Sequence, residues 1–376
     1  MTEIEQQLRQ LKKDGRKVLG CFPLYPPLEL FYAMDITPVV LWGLRGAVRN
    51  TDKSDRHLQP YVCAITRHLT EFILSGHSRF FDGLFMYNAC DTLRNLPEII
   101  DAGLSEHNLS LPLVKVHIPM TLPAHTDASG YFKNEIRQLI KDLERLFNVQ
   151  FSRDRFIRAV EIVRHLRDLV RAAEKRVTEG CLSFLAFSTI LHKCGFLPLE
   201  DQIRTMQELL GNIPDKGPTG ANDSSCPGVI LSGILPPPAS VITAIEAAGL
   251  RVKGNDIASL GRSYASTPET RSDPGAYFLD FYYQHFPCPT LLYTGDRRVT
   301  SLISLVERTR AAGVIFVGEK YCEYEYFEFP LLSEKMRDKG IKTLAIEIAA
   351  EDDEQTSAHD ARIAAFAELL QNRGGN

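Results

Sequence analysis

The amino-acid sequence predicts an α/β fold made of two Rossmann-like parallel-sheet domains that are joined by a helical connector. Short apolar runs alternate with amphipathic helical segments over residues 15–120, as a parallel sheet with crossover helices requires. Long helical periods replace this alternation between residues 131 and 210. The alternation returns after a stretch rich in proline, glycine, serine and asparagine at 214–228. The expected units are an N-terminal α/β domain at 1–130, a helical connector at 131–213 and a C-terminal α/β domain at 214–376.

Four segments of the first domain have the length and apolar composition of buried strands. A helix that begins at two prolines follows the first of them, in PPLELFYAM. A further helix in YVCAITRHLTEFILSG has apolar residues at helical spacing and ends at Gly76. The expected strands are KVLGCFP at 17–23, ITPVVLWG at 36–43, GLFMYN at 83–88 and PLVKVHIP at 112–119.

The connector and the second domain differ in the period of their apolar residues. Two long amphipathic helices are expected in the connector, in FKNEIRQLIKDLERLF and DRFIRAVEIVRHLRDLVRAAEKRV. In the second domain the strand pattern recurs with helices between the strands. The expected strands there are GVILSG, LRVKG, TLLYTG, GVIFVG and IKTLAIEI.

Composition excludes several classes of function. The 376 residues include 43 Lys and Arg against 47 Asp and Glu, so a net charge of -4 leaves no basic excess with which to neutralise nucleic-acid phosphates. The N-terminus is polar and mixed in charge, and no apolar run is long enough to span a membrane. We expect a cytoplasmic protein that binds neither nucleic acid nor membranes.

Eight cysteines are scattered along the chain without a CxxC pair, which excludes a zinc ribbon and a thioredoxin motif. Most free cysteines are small buried hydrophobic residues. Cys90 and Cys322 each follow an apolar strand and precede an acidic residue, so we expect both on loops at the carboxyl edge of a sheet, where ligands bind. Cys63 begins a helix, whose positive dipole end favours a thiolate. Three such thiols could share one soft metal centre, either an iron-sulfur cluster or zinc.

Three segments resemble the family of 2-hydroxyacyl-CoA dehydratases and ATP-dependent benzoyl-CoA reductases. DGLFMYNACDTLRNLPEI resembles the family's strand and "CD" loop, and AGVIFVGEKYCEYEYFEFPLLSEKMRDKGI resembles the segment around its third cysteine. GCFPLYPPLELFYAMDITPVVLWG resembles its N-terminal segment, so the similarity covers nearly the whole chain. The resemblance implies a D-component type iron-sulfur subunit. Such a subunit would bind a 4Fe-4S cluster through Cys63, Cys90 and Cys322 and leave one iron without a cysteine ligand.

The residues after the second and third of these cysteines favour the reductase branch of the family. The dehydratases usually have CDGKKKMYE, whereas this chain has CDTLRNLPE, and its CE after the third cysteine is closer to the aromatic-ring reductases. The resemblance therefore implies an anaerobic, low-potential one-electron reduction of an aryl-CoA of the benzoyl-CoA type. One alternative is a subunit of a 2-hydroxyacyl-CoA dehydratase, a lyase that works by a ketyl radical. Another is a double-cubane reductase, which would also use Cys21, Cys226 or Cys288.

The resemblance also implies partners. The chain contains no GxxxxGKS or GxxxxGKT loop, so a separate ATP-hydrolysing activator would donate the electrons. A homologous second large subunit and an acyl-CoA or aryl-CoA substrate are expected as well. A rival hypothesis from another class is a non-catalytic electron-relay or scaffold subunit whose partner holds the substrate. A zinc-bound structural protein is a third option.

Three carboxylates are candidates for proton transfer or for contacts beside the cluster, namely Glu29 at a helix start and Asp91 and Glu323 next to cysteines. The alternative for each is a helix-start or loop carboxylate that faces water. LSGILPPPAS at 231–240 is expected as a strand, a turn and a helix start. Its N–H groups could hold an anion, or the segment could be a simple structural turn.

Overall fold

The computed structural model of the chain confirms the predicted fold class, because it contains two four-stranded sheets whose strands are all parallel. It describes residues 2–44, 46–48, 50–119, 121, 127–214, 226–269, 272–284, 296–348 and 357–372. The strand expected in TLLYTG lies outside the described residues. The strands are β1 (Val18–Cys21), β2 (Thr37–Val40), β3 (Gly83–Tyr87), β4 (Leu113–Val116), β5 (Gly228–Gly233), β6 (Arg251–Ile257), β7 (Gly313–Glu319) and β8 (Lys342–Ile348).

The α-helices connect the strands and fill the middle of the chain. No helix in the described part of the chain is both long and apolar enough to cross a membrane. The helices are α1 (Glu3–Lys13), α2 (Leu28–Ala33), α3 (Ala64–Leu74), α4 (Asp91–Ser105), α5 (Ala128–Phe147), α6 (Arg153–Thr178), α7 (Phe184–Cys194), α8 (Leu199–Gly211), α9 (Ala239–Ala247), α10 (Gly261–Tyr264), α11 (Pro274–Gln284), α12 (Asp296–Thr309), α13 (Glu323–Asp338) and α14 (Ser357–Gln371).

Each sheet places its first strand in the interior. The first sheet has the order β2-β1-β3-β4, and the second repeats it as β6-β5-β7-β8. Every residue of β1, β3, β5 and β7 is buried. Strands that are covered on both faces read as continuous apolar runs rather than as alternating ones, which explains why the sequence identified them.

This strand order creates a topological switch point in each sheet. The chain leaves β1 toward β2 on one side and later returns to β3 on the other side. The loops that follow β1 and β3 therefore diverge, and a crevice remains between them at the carboxyl ends of the strands. β5 and β7 stand in the same relation in the second sheet. Open α/β sheets bind their ligands at such crevices.

The helices of the predicted connector do not share a core of their own. Apolar residues of α5, such as Phe132 and Leu139, belong to the core of the first sheet. Residues of α6 and α7, such as Val170 and Phe187, belong to the core of the second sheet. α11 lies between β6 and β7 in sequence but packs against α5 and joins the first core. The chain thus crosses repeatedly between the two cores, and the division into three units at 1–130, 131–213 and 214–376 stays a prediction.

A buried ion pair crosses between the two cores. The guanidinium of Arg167 in α6 lies 2.7 Å from a carboxylate oxygen of Glu29 in α2, and both side chains are almost fully buried. The hydroxyl of Tyr277 in α11 donates a hydrogen bond of 2.8 Å to the same oxygen. The guanidinium also lies 5.4 Å from the ring centroid of Phe281, at a distance typical of a cation–π contact. Three segments far apart in the sequence therefore meet at one charge pair.

Replacing Arg167 with methionine should destabilise the fold strongly. Arg167→Met leaves the Glu29 carboxylate buried without its cation, and we expect the free energy of unfolding to fall by about 3–5 kcal/mol. Urea denaturation followed by circular dichroism measures this loss. The control Arg164→Met, on the same helix, breaks the partly exposed pair with Glu161 and should cost less than about 1 kcal/mol. Equal losses in the two variants would contradict the role given to the buried pair.

Candidate metal centre

One cavity lies where the crevices of the two sheets face each other. Its walls come from the loops after β1, β3, β5 and β7, represented by Pro23, Cys90, Ile234 and Cys322, and from the start of α3 at Cys63. Its volume is about 140 Å³. We call it the cysteine cavity, because its lining includes all three cysteines that the sequence singled out.

Each of the three cysteines occupies the N-cap of a helix. Cys63 precedes α3, Cys90 precedes α4 and Cys322 precedes α13, and none of the three thiols makes a side-chain capping hydrogen bond. The Sγ atom of Cys63 lies 3.4 Å from the Oγ1 atom of Thr66. Three helix N-termini, with their unbonded N–H groups and positive dipole ends, therefore border the cavity. This arrangement stabilises negative charge on the sulfur atoms.

Burial opposes that effect at each thiol. It raises the pKa of Cys90 to about 11, and it raises the pKa of Cys63 and of Cys322 as well. The Glu325 carboxylate and the two neighbouring thiols add to the increase in the pKa of Cys322, because like charges disfavour ionisation. The thiols are therefore protonated at neutral pH unless a cation takes the place of their protons.

The donor set fits an iron-sulfur cluster better than a single ion. Within the described residues, no group of three or more His, Cys, Asp or Glu side chains is arranged to hold one metal ion. A cluster distributes its thiolate ligands over separate irons, so the ligands surround a larger volume. Three thiols on the wall of one cavity meet that requirement. The assignment of Cys63, Cys90 and Cys322 as ligands stays a prediction.

Two of the three candidate carboxylates lie at the cysteine cavity. Asp91 and Glu323 line it as the first residues of α4 and α13, and both are exposed. Asp91 forms an ion pair of 3.4 Å with Arg94. Glu29 is not part of the lining, because it is buried in the pair with Arg167. The first two carboxylates are in contact with solvent, and a role in proton transfer stays a prediction for all three.

The remaining cysteines of the described residues do not line the cysteine cavity. Cys21 and Cys194 are buried, and neither they nor Cys181 and Cys226 line the cysteine cavity. Cys288 lies outside the described residues. The described part of the chain therefore offers no further thiol at the cavity that could bind a double-cubane cluster.

The turn in LSGILPPPAS offers few donors to an anion. Three consecutive prolines at 236–238 precede α9, and Pro238 is its N-cap. Proline has no N–H group, so the three residues of the turn before α9 offer an anion no backbone donor, and only the N–H groups of the first helical residues remain. The alternative of a structural turn is the better description of this segment.

A buried network of charged residues behind Cys322 was missed by the sequence analysis. Arg298 is 2% exposed and donates hydrogen bonds to Asp256 in β6, at 2.6 Å, and to Glu328 in α13, at 3.1 Å. The hydroxyl of Ser232 in β5 donates to Asp256 at 2.6 Å. Since α13 begins directly after Cys322, the network fastens the helix that presents this thiol to the ends of β5 and β6.

Glu325 makes a second connection at the same helix. Its buried carboxylate accepts a hydrogen bond of 2.7 Å from the backbone N–H of Glu319, at the end of β7. Burial raises the pKa of Glu325 to about 8. The available signal was the run YCEYEYFEF, in which Glu325 and Glu328 recur at a spacing of three among aromatic residues. Acidic residues on the apolar face of a helix are rarely buried without a partner, so this spacing could have indicated the network.

Arg298→Met should loosen α13. The change leaves Asp256 and Glu328 without their shared cation, and breaking a buried pair costs about 3–5 kcal/mol, so amide hydrogen exchange in α13 should accelerate by roughly a hundredfold or more. Hydrogen–deuterium exchange with mass spectrometry measures this rate. The control is Arg297→Met, which removes the exposed neighbouring side chain and should leave α13 protected. Unchanged exchange in Arg298→Met would show that the network does not hold the helix.

Comparison with known proteins gives matches over nearly the whole chain. A family model described as 2-hydroxyglutaryl-CoA dehydratase, D-component, matches residues 23–370. The beta subunit of (R)-phenyllactyl-CoA dehydratase from Clostridium sporogenes is 23% identical, over 96% of this chain and 94% of that subunit. The beta subunit of (R)-2-hydroxyglutaryl-CoA dehydratase from Acidaminococcus fermentans is 24% identical, over 96% of this chain and 95% of that subunit. One of the subunits of benzoyl-CoA reductase from Thauera aromatica is 24% identical, over 91% and 88% respectively.

The identities do not separate the two branches. They are 23% and 24% for the dehydratase subunits and 24% for the reductase subunit. The reductase role favoured by the residues after Cys90 and Cys322 is thus left unconfirmed, while the wider resemblance stated from the sequence is confirmed.

Proposed function

The chain belongs to the 2-hydroxyglutaryl-CoA dehydratase D-component family, and from this premise we propose that it is the iron-sulfur subunit of an ATP-dependent complex that transfers single electrons to a CoA thioester. The observation that carries the proposal is the cysteine cavity, in which thiols from three distant segments line one space at the switch points of both sheets. Burial keeps these thiols protonated unless a cation binds, so metal binding there would be coupled to proton release.

A benzoyl-CoA type aryl-CoA reductase is our first candidate for the reaction. CDTLRNLPE after Cys90 and CE at Cys322 support it, as does the likeness to a benzoyl-CoA reductase subunit. A 2-hydroxyacyl-CoA dehydratase is the second candidate, because the likeness to two dehydratase beta subunits extends over slightly more of the chain. Both reactions require single electrons of low potential at a thioester.

In this proposal Cys63, Cys90 and Cys322 hold a 4Fe-4S cluster. When bound, such a cluster supplies single electrons at low potential and an iron that can act as a Lewis acid. The N-termini of α3, α4 and α13 stabilise the thiolates through their dipoles. Apolar lining residues such as Phe22 and Leu93 exclude water, which strengthens these electrostatic interactions. Asp91 and Glu323 lie at the rim of the cavity and are our candidates for proton transfer.

A homologous second subunit and an ATP-hydrolysing activator complete the proposed complex. Large apolar side chains are exposed around the mouth of the cysteine cavity and on α13. Tyr61 is 67% exposed and Phe327 is 82% exposed. Exposed aromatic residues that are grouped in this way are typical of protein–protein interfaces. The rim of the cysteine cavity is therefore the surface at which we expect a partner.

Cys322→Ser should remove the cluster while the fold is kept. The substitution exchanges a soft thiolate for a hard, weakly acidic oxygen that iron binds poorly. Each sheet has its own apolar core, so the chain should fold without metal. Iron and sulfide analysis after anaerobic purification, together with EPR of the reduced protein, should find about four irons per chain in the unmodified protein and far fewer in the variant.

The matched control is Cys181→Ser, since Cys181 lies in the helical segment and outside the cysteine cavity. Its iron content should equal that of the unmodified chain. Full iron in Cys322→Ser combined with loss of iron in Cys181→Ser would overturn the assignment of the ligands. About eight irons per chain would favour the double-cubane alternative. Zinc as the only bound metal would contradict both the 4Fe-4S proposal and the double-cubane alternative.

The isolated chain should not turn over substrate. Because it has no phosphate-binding loop for ATP, low-potential reduction depends on a separate activator. We expect no aryl-CoA or 2-hydroxyacyl-CoA turnover with ATP and dithionite until a homologous subunit and an ATPase are added. Sustained ATP-dependent turnover by this chain alone would contradict the subunit proposal.

A further inference from the structure

A second enclosed space lies behind the cysteine cavity, where the two cores meet. It is lined by the loop after β1 at Tyr25, by Arg167 and His192 of the connector helices, and by Ser259 and Ser263 beyond β6. Its volume is about 90 Å³. We call this space the chamber.

The chamber adjoins a space on each side. Trp42 lines both the chamber and the cysteine cavity, so its side chain forms a shared wall. On the other side, His192 and Pro236 line both the chamber and an open groove of about 280 Å³. The groove is bordered by Gly43 and the three prolines before α9. The groove, the chamber and the cysteine cavity are thus neighbours in that order and share lining residues.

The size of the chamber decides which class of ligand it can take. An apolar cavity of about 150 Å³ is needed to hold benzene, whereas one water occupies about 30 Å³ in the liquid. A chamber of about 90 Å³ is therefore too small for an aromatic ring. It has room for several waters.

Two polar groups of residues that line the chamber have no hydrogen-bond partner within the described part of the chain. They are the indole Nε1 of Trp42, a residue that is only 8% exposed, and the hydroxyl oxygen of Ser259. Leaving a buried donor or acceptor unbonded is costly, and buried waters usually satisfy such groups. An indole N–H can only donate, so a water that accepts from it keeps both of its own hydrogens for further bonds.

We propose that the chamber holds a short chain of waters that connects the groove with the cysteine cavity past Trp42 and carries protons between them. The role in catalysis rests on the proposed function, since reduction takes up protons with its electrons and dehydration releases water. A proton that enters at the groove displaces one proton along the hydrogen bonds toward the cysteine cavity. No covalent bond to carbon is made or broken in the chamber, and bulk water supplies the proton.

Trp42 makes this proposal directly testable, because it is the only tryptophan of the chain. Its indole N–H gives a single NMR signal in the full chain labelled with ¹⁵N-tryptophan. We expect this signal to show a cross-peak to long-lived water. Absence of the cross-peak in the unmodified chain would overturn the proposal.

Filling the chamber should remove that water. Ser259→Leu adds apolar volume to the lining, so the cross-peak should disappear and the fluorescence emission of Trp42 should shift to shorter wavelength. Ser259→Val adds less volume and repeats the test if the leucine variant does not fold. The control is Ser105→Leu, at an exposed serine at the end of α4, which should change neither measurement. A cross-peak that persists in both Ser259 variants would place the water elsewhere and overturn the proposal.

The relay is tested in the assembled complex with its activator. Ser259→Leu should lower kcat by roughly tenfold or more with little change in the KM of the thioester, because proton delivery rather than binding is impaired. The solvent isotope effect on kcat should increase. Unchanged kcat and isotope effect in a variant that has lost its water would overturn the relay. A failure of the proposed function would give a different result. The unmodified complex would then lack iron and turnover, whether or not the NMR signal of Trp42 shows the water.

Discussion

The position of the first strand inside each sheet is the constraint on which the rest of the molecule depends. A parallel sheet that grows on one side of its first strand and then on the other must open a crevice at the reversal. This chain makes that reversal once in each sheet, and it turns both crevices toward one space. Loops that are far apart in sequence are then adjacent without any contact having been specified between them. The site is a property of the topology before it is a property of its side chains.

Two electrostatic effects of opposite sign act on the thiols in that space. Helix N-termini favour the thiolate, whereas burial and the presence of several potential anions favour the neutral thiol. A cationic centre would stabilise all three thiolates together, and this stabilisation would offset the free-energy cost of removing the three charged sulfur atoms from water. Metal binding at such a site is coupled to proton release and so strengthens as the pH rises. Behind Cys322, the pairs of Arg298 with Asp256 and Glu328 keep the third helix in place.

The sequence revealed those parts of the fold whose cause is local. Continuous apolar runs identified β1, β3, β5 and β7 because these strands are buried on both faces, and the position of Cys90 and Cys322 after two of them indicated the sheet edge. The periodicity of a helix shows which of its faces is apolar, but it carries no information on which core receives that face. The packing of α11 against α5 in the first core was therefore not predictable from the sequence. Glu29 was considered for chemistry because it starts a helix. Its cation, Arg167, lies on a distant helix that only the tertiary fold brings near.

That ion pair also bears on how the cysteine cavity is reached from outside. Glu29 and Tyr277 belong to elements of the first core, and Arg167 lies on α6, whose apolar residues reach both cores, so separating these elements would break the ion pair and the hydrogen bond together. A ligand of the cysteine cavity would then enter through the mouth of the folded protein, past Tyr61 and Tyr321.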